Sequence, residues 1–145
     1  LGVERTKFAS EPNAPIKIAA VWPDNQSGFF AGAQRAAQEI NASELSFRSK
    51  AGKLVKFSVE IANFPYDETN KATIAREVIK DTHVLGVVGH ADAVSAIQGS
   101  ATYHISQLVH FVPSVQNTTL TSTPFDGTFQ LVADDHYIID AIKGV

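Results

Sequence analysis

Apolar and polar positions along this chain fall into two alternating rhythms. Residues 16–21 (IKIAAV) form a compact, mostly apolar run, the pattern of a strand buried on both faces of a parallel sheet. Trp22-Pro23 stops it, because proline has no N–H to give to a ladder. Residues 27–41 repeat at the helical period, with Phe29 or Phe30, Ala33, Ala36, Ala37 and Ile40 on one stripe and Ser27 as N-cap. Phe29 and Phe30 are expected in the core. Residues 42–52 read as a polar connection. Residues 54–62 alternate strictly, Val55, Phe57, Val59 and Ile61 against Lys56, Ser58 and Glu60, which predicts a half-buried strand near an edge.

The two rhythms keep alternating to the end. A second helix is expected from Asp67 or Thr69 through Ile74, Val78 and Ile79 to Asp81. Residues 85–88 make a third strand, and residues 93–107 a third helix carrying Ile97, Ala101 and Ile105. Residues 110–112 form a short fourth strand ended by Pro113. A turn over 124–127, a fifth strand over 128–132 and a helix over 137–143 complete the chain. Residues 1–15 have mixed charge and no period, so they read as an N-terminal arm to a folded region over 16–145.

Strands alternating with helices imply an α/β three-layer sandwich around a mainly parallel sheet of about five strands. Right-handed crossovers favour the strand order 2-1-3-4-5. A ligand then belongs in the crevice at the carboxyl ends of strands one and three. Three polar junctions fall on that edge: residues 22–28 (WPDNQSG), 89–95 (GHADAVS) and 113–119 (PSVQNTT). Their hydroxyls, amides and unpaired N–H groups suit a small polar or carboxylate-bearing solute. Turns of any α/β domain are also rich in such residues.

Composition narrows the function. The chain has 145 residues, 44% hydrophobic and 19% charged, enough for one core. A net charge of −3 without a Lys/Arg block argues against nucleic acid or an anionic membrane surface as partner. Cysteine is absent, which removes disulfides, thiolate metal sites and cysteine nucleophiles. Methionine is absent even at position 1, so a processed product or a fragment is expected, with any signal peptide already removed. No apolar run approaches the ~18–20 residues of a membrane span. Neither glycine-rich phosphate fingerprint is present.

The titratable residues do not assemble into chemistry. His90 and Asp92 lie two apart with nothing nearby to complete a triad or a metal site, and Asp92 fits a helix cap. His104 and His110 match no metal-ligand spacing and are expected at the surface or a sheet edge. Asp134, Asp135 and His136 suit a helix N-terminus. Trp22, the single tryptophan, either lines a pocket or closes the edge of the core. No catalytic residue, metal or cofactor is expected. A phosphoacceptor receiver is disfavoured, since the third strand ends in Gly89-His90 rather than an aspartate.

The segments IKIAAV, GAQRAAQEIN, VLGVVGHADAVS, HFVPSVQNTTLTS and FQLVADD succeed one another at distances that resemble the type I periplasmic solute-binding proteins. The likeness is to the branched-chain amino-acid binders of ABC importers above all, and it covers residues 16–145. It implies only the first part of one lobe, the N-terminal one, of a two-lobed clamp, present as a fragment or truncated form. It also implies a non-enzymatic role: solute binding in the periplasm or outside the cell, with a lipid anchor in a Gram-positive setting and an ABC permease as partner of the full-length protein. The alternative is a ligand-sensing input domain of a membrane signalling receptor. In the family, the turns after strands three and four hold the ligand α-carboxylate. Carried over, these positions are Ala93, Ser114 and Gln116, with alanine in place of the family's serine and glutamine in place of its threonine. The candidate ligand-contacting set is therefore Trp22, His90, Ala91, Asp92, Ala93, Ser114 and Gln116. A single lobe leaves its solute open to water and its sheet with a bare edge, which a homodimer or strand exchange would cover.

Overall fold

The computed structural model describes residues 5, 7, 14–43, 45–48, 52, 54–123, 125–133 and 135–144. Strand β1 (Ile16–Pro23) leads into helix α1 (Ser27–Ala42). A short ribbon, β2 (Ser46–Arg48) and β3 (Leu54–Lys56), precedes β4 (Val59–Tyr66) and α2 (Ile74–Lys80). Then come β5 (Val84–Gly89), α3 (Ala93–Ile105), β6 (Val109–Val112), α4 (Thr118–Ser122), β7 (Thr128–Gln130) and α5 (Asp135–Lys143). The main sheet has five parallel strands in the order β4-β1-β5-β6-β7, which is 2-1-3-4-5 when only its own strands are counted. The α/β class is the expected one.

Several elements differ from the sequence reading, each for a local reason. The alternation over 54–62 is two strands: β3 pairs antiparallel with β2, and β4 starts at Val59 and runs on to Tyr66 beside β1. Both halves alternate, so the break at Phe57-Ser58 leaves no mark in the pattern. β2 hides in the connection that looked merely polar. β1 extends through Trp22 and Pro23, and proline is tolerated there because it is the last strand residue. Gln26, not Ser27, stands at the N-cap of α1 and makes no side-chain cap. Helix α2 begins at Ile74 rather than at 67 or 69, because the Asp67 carboxylate closes a turn on the N–H groups of Thr69 and Asn70. Helix α4, capped by Asn117, was not expected at all. Pro124 of the expected turn and most of residues 1–15 lie outside the described residues. Arg5 is described: it is buried, and its guanidinium donates to the carbonyls of Val84 and Ile79 at 3.0 Å each.

One face of the sheet packs on α2 and α3. Ala19, Val21, Val78, Val84, Val87 and Tyr103 form its core, with Val112, Val115 and Leu120 beyond. Each fully buried valine contributes on the order of 1.5–3 kcal/mol. Ala20 and Trp22 have the opposite parity along β1 and so face the other side, where α1 lies across β1 and β4. On that side no helix among the described residues covers Val109, Phe111 and Phe129, which stay exposed. Phe29 is also 49% exposed rather than in the core. It sits in the first turn of α1, past the sheet end, and stacks on Trp22 with ring centroids 3.7 Å apart.

Candidate functional site

The chain passes from β1 outward to β4 and then crosses back to β5 on the other side of β1, so the order of strand addition reverses between β1 and β5. Such a switch point opens a crevice at the carboxyl ends of the strands. A cleft of ≈ 590 Å³ lies there. The turn Pro23–Gln26 forms one wall and Tyr66, Asp67, Glu68 and Lys71 another. Ala91, Asp92, Ala93 and Val94 form its floor.

The turn after β5 is fixed from below. Gly89 has φ +140°, and a Cβ there would fall 2.0 Å from the Val21 carbonyl oxygen, so only glycine fits. His90 follows with φ 61°, its N–H donating to the same Val21 carbonyl at 2.8 Å. Its ring turns inward and is fully buried. Nε2 lies 3.0 Å from the Tyr103 hydroxyl, and the ring meets His110 edge-on at 5.2 Å. The His90 side chain, expected in the ligand-contacting set, thus packs in the core, and its backbone forms the turn that leads to the crevice. His110, expected at the surface or an edge, is also fully buried, with Nδ1 3.1 Å from Ser100 Oγ. It alternates inward with Val112 along β6, and a hydrophobicity count does not register an inward histidine. Desolvation pushes His90 down to about 3, helped by His110, and pushes His110 down to about 4. Both rings are therefore neutral at neutral pH.

The floor is a polar network. The Tyr66 hydroxyl accepts the Ala91 N–H at 2.9 Å and lies 3.2 Å from Asp92 Oδ2, to which it donates. Asp92 caps α3 as expected: Oδ1 accepts the Ser95 N–H at 2.9 Å and Oδ2 the Ser95 hydroxyl at 2.6 Å. Burial acts to raise the Asp92 pKa, but the bonds from Ser95 and Tyr66 outweigh it and hold the carboxyl below its ordinary value. Burial raises the Tyr66 hydroxyl, which stays protonated. Of the backbone donors expected over residues 91–93, the Ala91 N–H is thus already used. Ala93 and Val94 open α3, where N–H groups have no intrahelical acceptor.

The remaining expected residues fall elsewhere. Trp22 is buried, its Nε1 donating to Gln26 Oε1 at 2.9 Å, and it lines a separate apolar groove of ≈ 320 Å³ with Phe30, Ala33, Val88 and Pro113. Ser114 and Gln116 are exposed on the turn after β6 and line neither space. The structure therefore gathers Ala91, Asp92 and Ala93 and leaves the other four outside the cleft. Tyr66, Asp67, Glu68 and Lys71 were not expected in it. A tyrosine at the carboxyl end of an alternating strand was the available signal. No group of three His, Asp or Glu side chains among the described residues could hold a metal ion, and no described helix is long and apolar enough to cross a membrane.

No protein-family model matches the chain, and no curated protein matches it significantly. Solved structures do share its fold. It is similar to an ABC transporter substrate-binding protein from Desulfitobacterium hafniense, at TM-score 0.70 and 23% identity over 88% of this chain and 37% of that one. A Desulfitobacterium hafniense ABC transporter substrate-binding protein in complex with Leu gives TM-score 0.69 and 24% identity over 88% and 37% of the two chains. The branched-chain amino acid transporter substrate-binding protein LivJ from Streptococcus pneumoniae, in complex with isoleucine, gives 0.65 and 22% over 83% and 34%. The fold is that of one portion of these proteins, and the chain spans about a third of their length.

Proposed function

We propose that residues 16–145 act as part of the N-terminal lobe of an extracytoplasmic solute-binding protein serving an ABC importer. The cleft at the carboxyl ends of β1, β4 and β5 is its share of the solute site, with Asp92 and the backbone at Ala93 and Val94 at the floor. What carries this reading is the coincidence of that cleft with the switch point of a sheet whose fold occurs in substrate-binding proteins. A turn already locked by Gly89, His90 and Tyr66 loses little freedom when a ligand arrives, which favours binding. Catalysis is disfavoured by the same contacts. The Ser95 hydroxyl is buried and spent on Asp92, and the His90 ring points away from the cleft. The opposing wall would come from a second lobe, the partner in transport from a permease, and the setting from the periplasm or the outer cell surface. Residues 1–15 are assigned to an N-terminal arm, in which the Arg5 guanidinium bonds the carbonyls of Val84 and Ile79.

Thermal-shift and amide-NMR titrations of this chain with amino acids, aromatic carboxylates and organic amines test the proposal. A binder present at a hundredfold excess over its Kd adds about 2.7 kcal/mol of stability. Its amide shifts are expected at residues 24–26, 66–68 and 91–94. Silence of those amides toward every class would overturn the assignment.

A further inference from the structure

Resting on the solute-site reading of the cleft, we infer that it receives the cationic end of its solute, an alkylammonium or guanidinium group, and turns away a carboxylate. The cleft is lined by Asp24, Asp67, Glu68 and Asp92 against a single cation, Lys71. Lys71 Nζ is in direct contact with the Glu68 carboxylate, so this pair is internally neutral. Asp24, Asp67 and Asp92 remain, and Lys71, which also favours the charged form of Asp92, is the one cation lining the cleft against four carboxylates. Hydrogen bonds from Thr69 hold the Asp67 carboxyl below its ordinary value, and Asp92 is also held low, so both are ionised at neutral pH.

The means of binding an anion are, conversely, largely taken, with only the Ala93 and Val94 N–H groups left at the start of α3. A resident carboxylate, Asp92, occupies the cap of α3 and takes both the N–H and the hydroxyl of Ser95. The Tyr66 hydroxyl takes the Ala91 N–H. Ala93 has no hydroxyl to offer. A ligand carboxylate at this floor would lie beside Asp92 and meet like-charge repulsion with few free donors in return. An ammonium group meets the opposite situation. Asp67 spends only Oδ1 on its turn, and Oδ2 accepts no hydrogen bond among the described residues. Charge-assisted bonds to such oxygens are the strong ones. The cleft volume of ≈ 590 Å³ accommodates a short chain behind the charged group.

Amide-NMR titration of the whole chain with putrescine, butanediol, succinate and leucine separates the possibilities, run at low and high ionic strength. Putrescine is expected to shift the amides of residues 24–26, 66–68 and 91–94, about tenfold more tightly than butanediol, and less so at high salt. The double variant Asp24→Asn, Asp67→Asn keeps the side-chain oxygen that closes the Asp67 turn, so it tests charge rather than folding. It should weaken putrescine several-fold. If succinate or leucine moves those amides and putrescine does not, the cationic preference is wrong while the solute site stands. If none of the four compounds moves them, the preference for a cationic end falls, whereas the solute site falls only when the wider panel of amino acids, aromatic carboxylates and amines is silent as well. Putrescine shifts spread over the whole acidic surface and unchanged in the double variant would also overturn the inference.

Discussion

His90 Nε2 and the Tyr103 hydroxyl meet 3.0 Å apart inside the core, and the contact exists because residue 99 has no side chain. A Cβ on Gly99 would stand 2.7 Å from His90 Nε2 and 3.2 Å from the Tyr103 ring. Both rings are enclosed, so neither can step aside freely. Gly99→Ala should therefore destabilise the fold by about 1–3 kcal/mol, the usual cost of overpacking, despite the better helix propensity of alanine. Urea denaturation of the two proteins measures this, and an unchanged midpoint would show that the rings can move.

The buried histidines make stability depend on acid. Their folded pKa values are about 3 for His90 and about 4 for His110, against an ordinary 6.5. The unfolded chain therefore binds these protons first, and stability falls as pH drops below about 6.5. The loss continues until the pH passes the folded values. Each histidine contributes a slope of about 1.4 kcal/mol per pH unit within that window. Asp92 moderates the effect on His90 by favouring its charged form. Denaturation midpoints at a series of pH values between neutral and the folded values should show the decline, and His110→Leu should flatten it. An unaltered pH slope in that variant would remove His110 from the account.

Tyr66 joins two segments through one oxygen. Its hydroxyl accepts the Ala91 N–H and donates to Asp92, linking the end of β4 to the turn after β5. Tyr66→Phe keeps the buried ring and leaves the Ala91 N–H without its acceptor. A loss of about 1–2 kcal/mol is expected, with a selective gain in amide exchange at Ala91. Uniform exchange across the sheet would instead mean a global effect.

The cap on α3 is a separate test of the floor. Asp92→Ala removes the acceptor of the Ser95 N–H and should cost about 1 kcal/mol, while Asp92→Asn keeps a cap oxygen and should cost less. Thermal melts of both variants give the ordering. Equal losses would indicate that charge, not capping, is what Asp92 supplies to the fold.

How far the site could be read from the sequence depends on what each signal averages over. The strands announced themselves because apolar runs such as IKIAAV and VLGVVG need only burial to be recognised. Asp92 was legible because a cap is a local event between neighbours in sequence. The inward turn of His90 and His110 was not, since it depends on Tyr103 and Ser100 one or more helical turns away and on the absence of a Cβ at Gly99. The wall from Tyr66 to Lys71 was misread as a helix start. Asp67 can cap a helix or close a turn, and the pairing of β4 with β1 out to Tyr66 decides between them. The sequence leaves open which face Trp22 takes at the strand end, because one residue of strand register exchanges the two sides, and the structure puts it on the α1 side.

Phe111 and Phe129 are aligned partners on β6 and β7, with rings 5.4 Å apart on the side of the sheet away from α3. β7 is the edge strand, and Phe129 is 50% exposed there. An apolar edge of this kind is a template for pairing with another chain. The isolated chain should therefore self-associate as concentration rises. The double variant Phe111→Thr, Phe129→Thr introduces β-branched residues suited to strands while removing the aromatic face. Sedimentation velocity should find it monomeric at concentrations where the parent chain associates, with urea stability lowered by about 1–3 kcal/mol for the half-buried ring area that is lost. Association of the variant equal to that of the parent would place the contact elsewhere on the molecule.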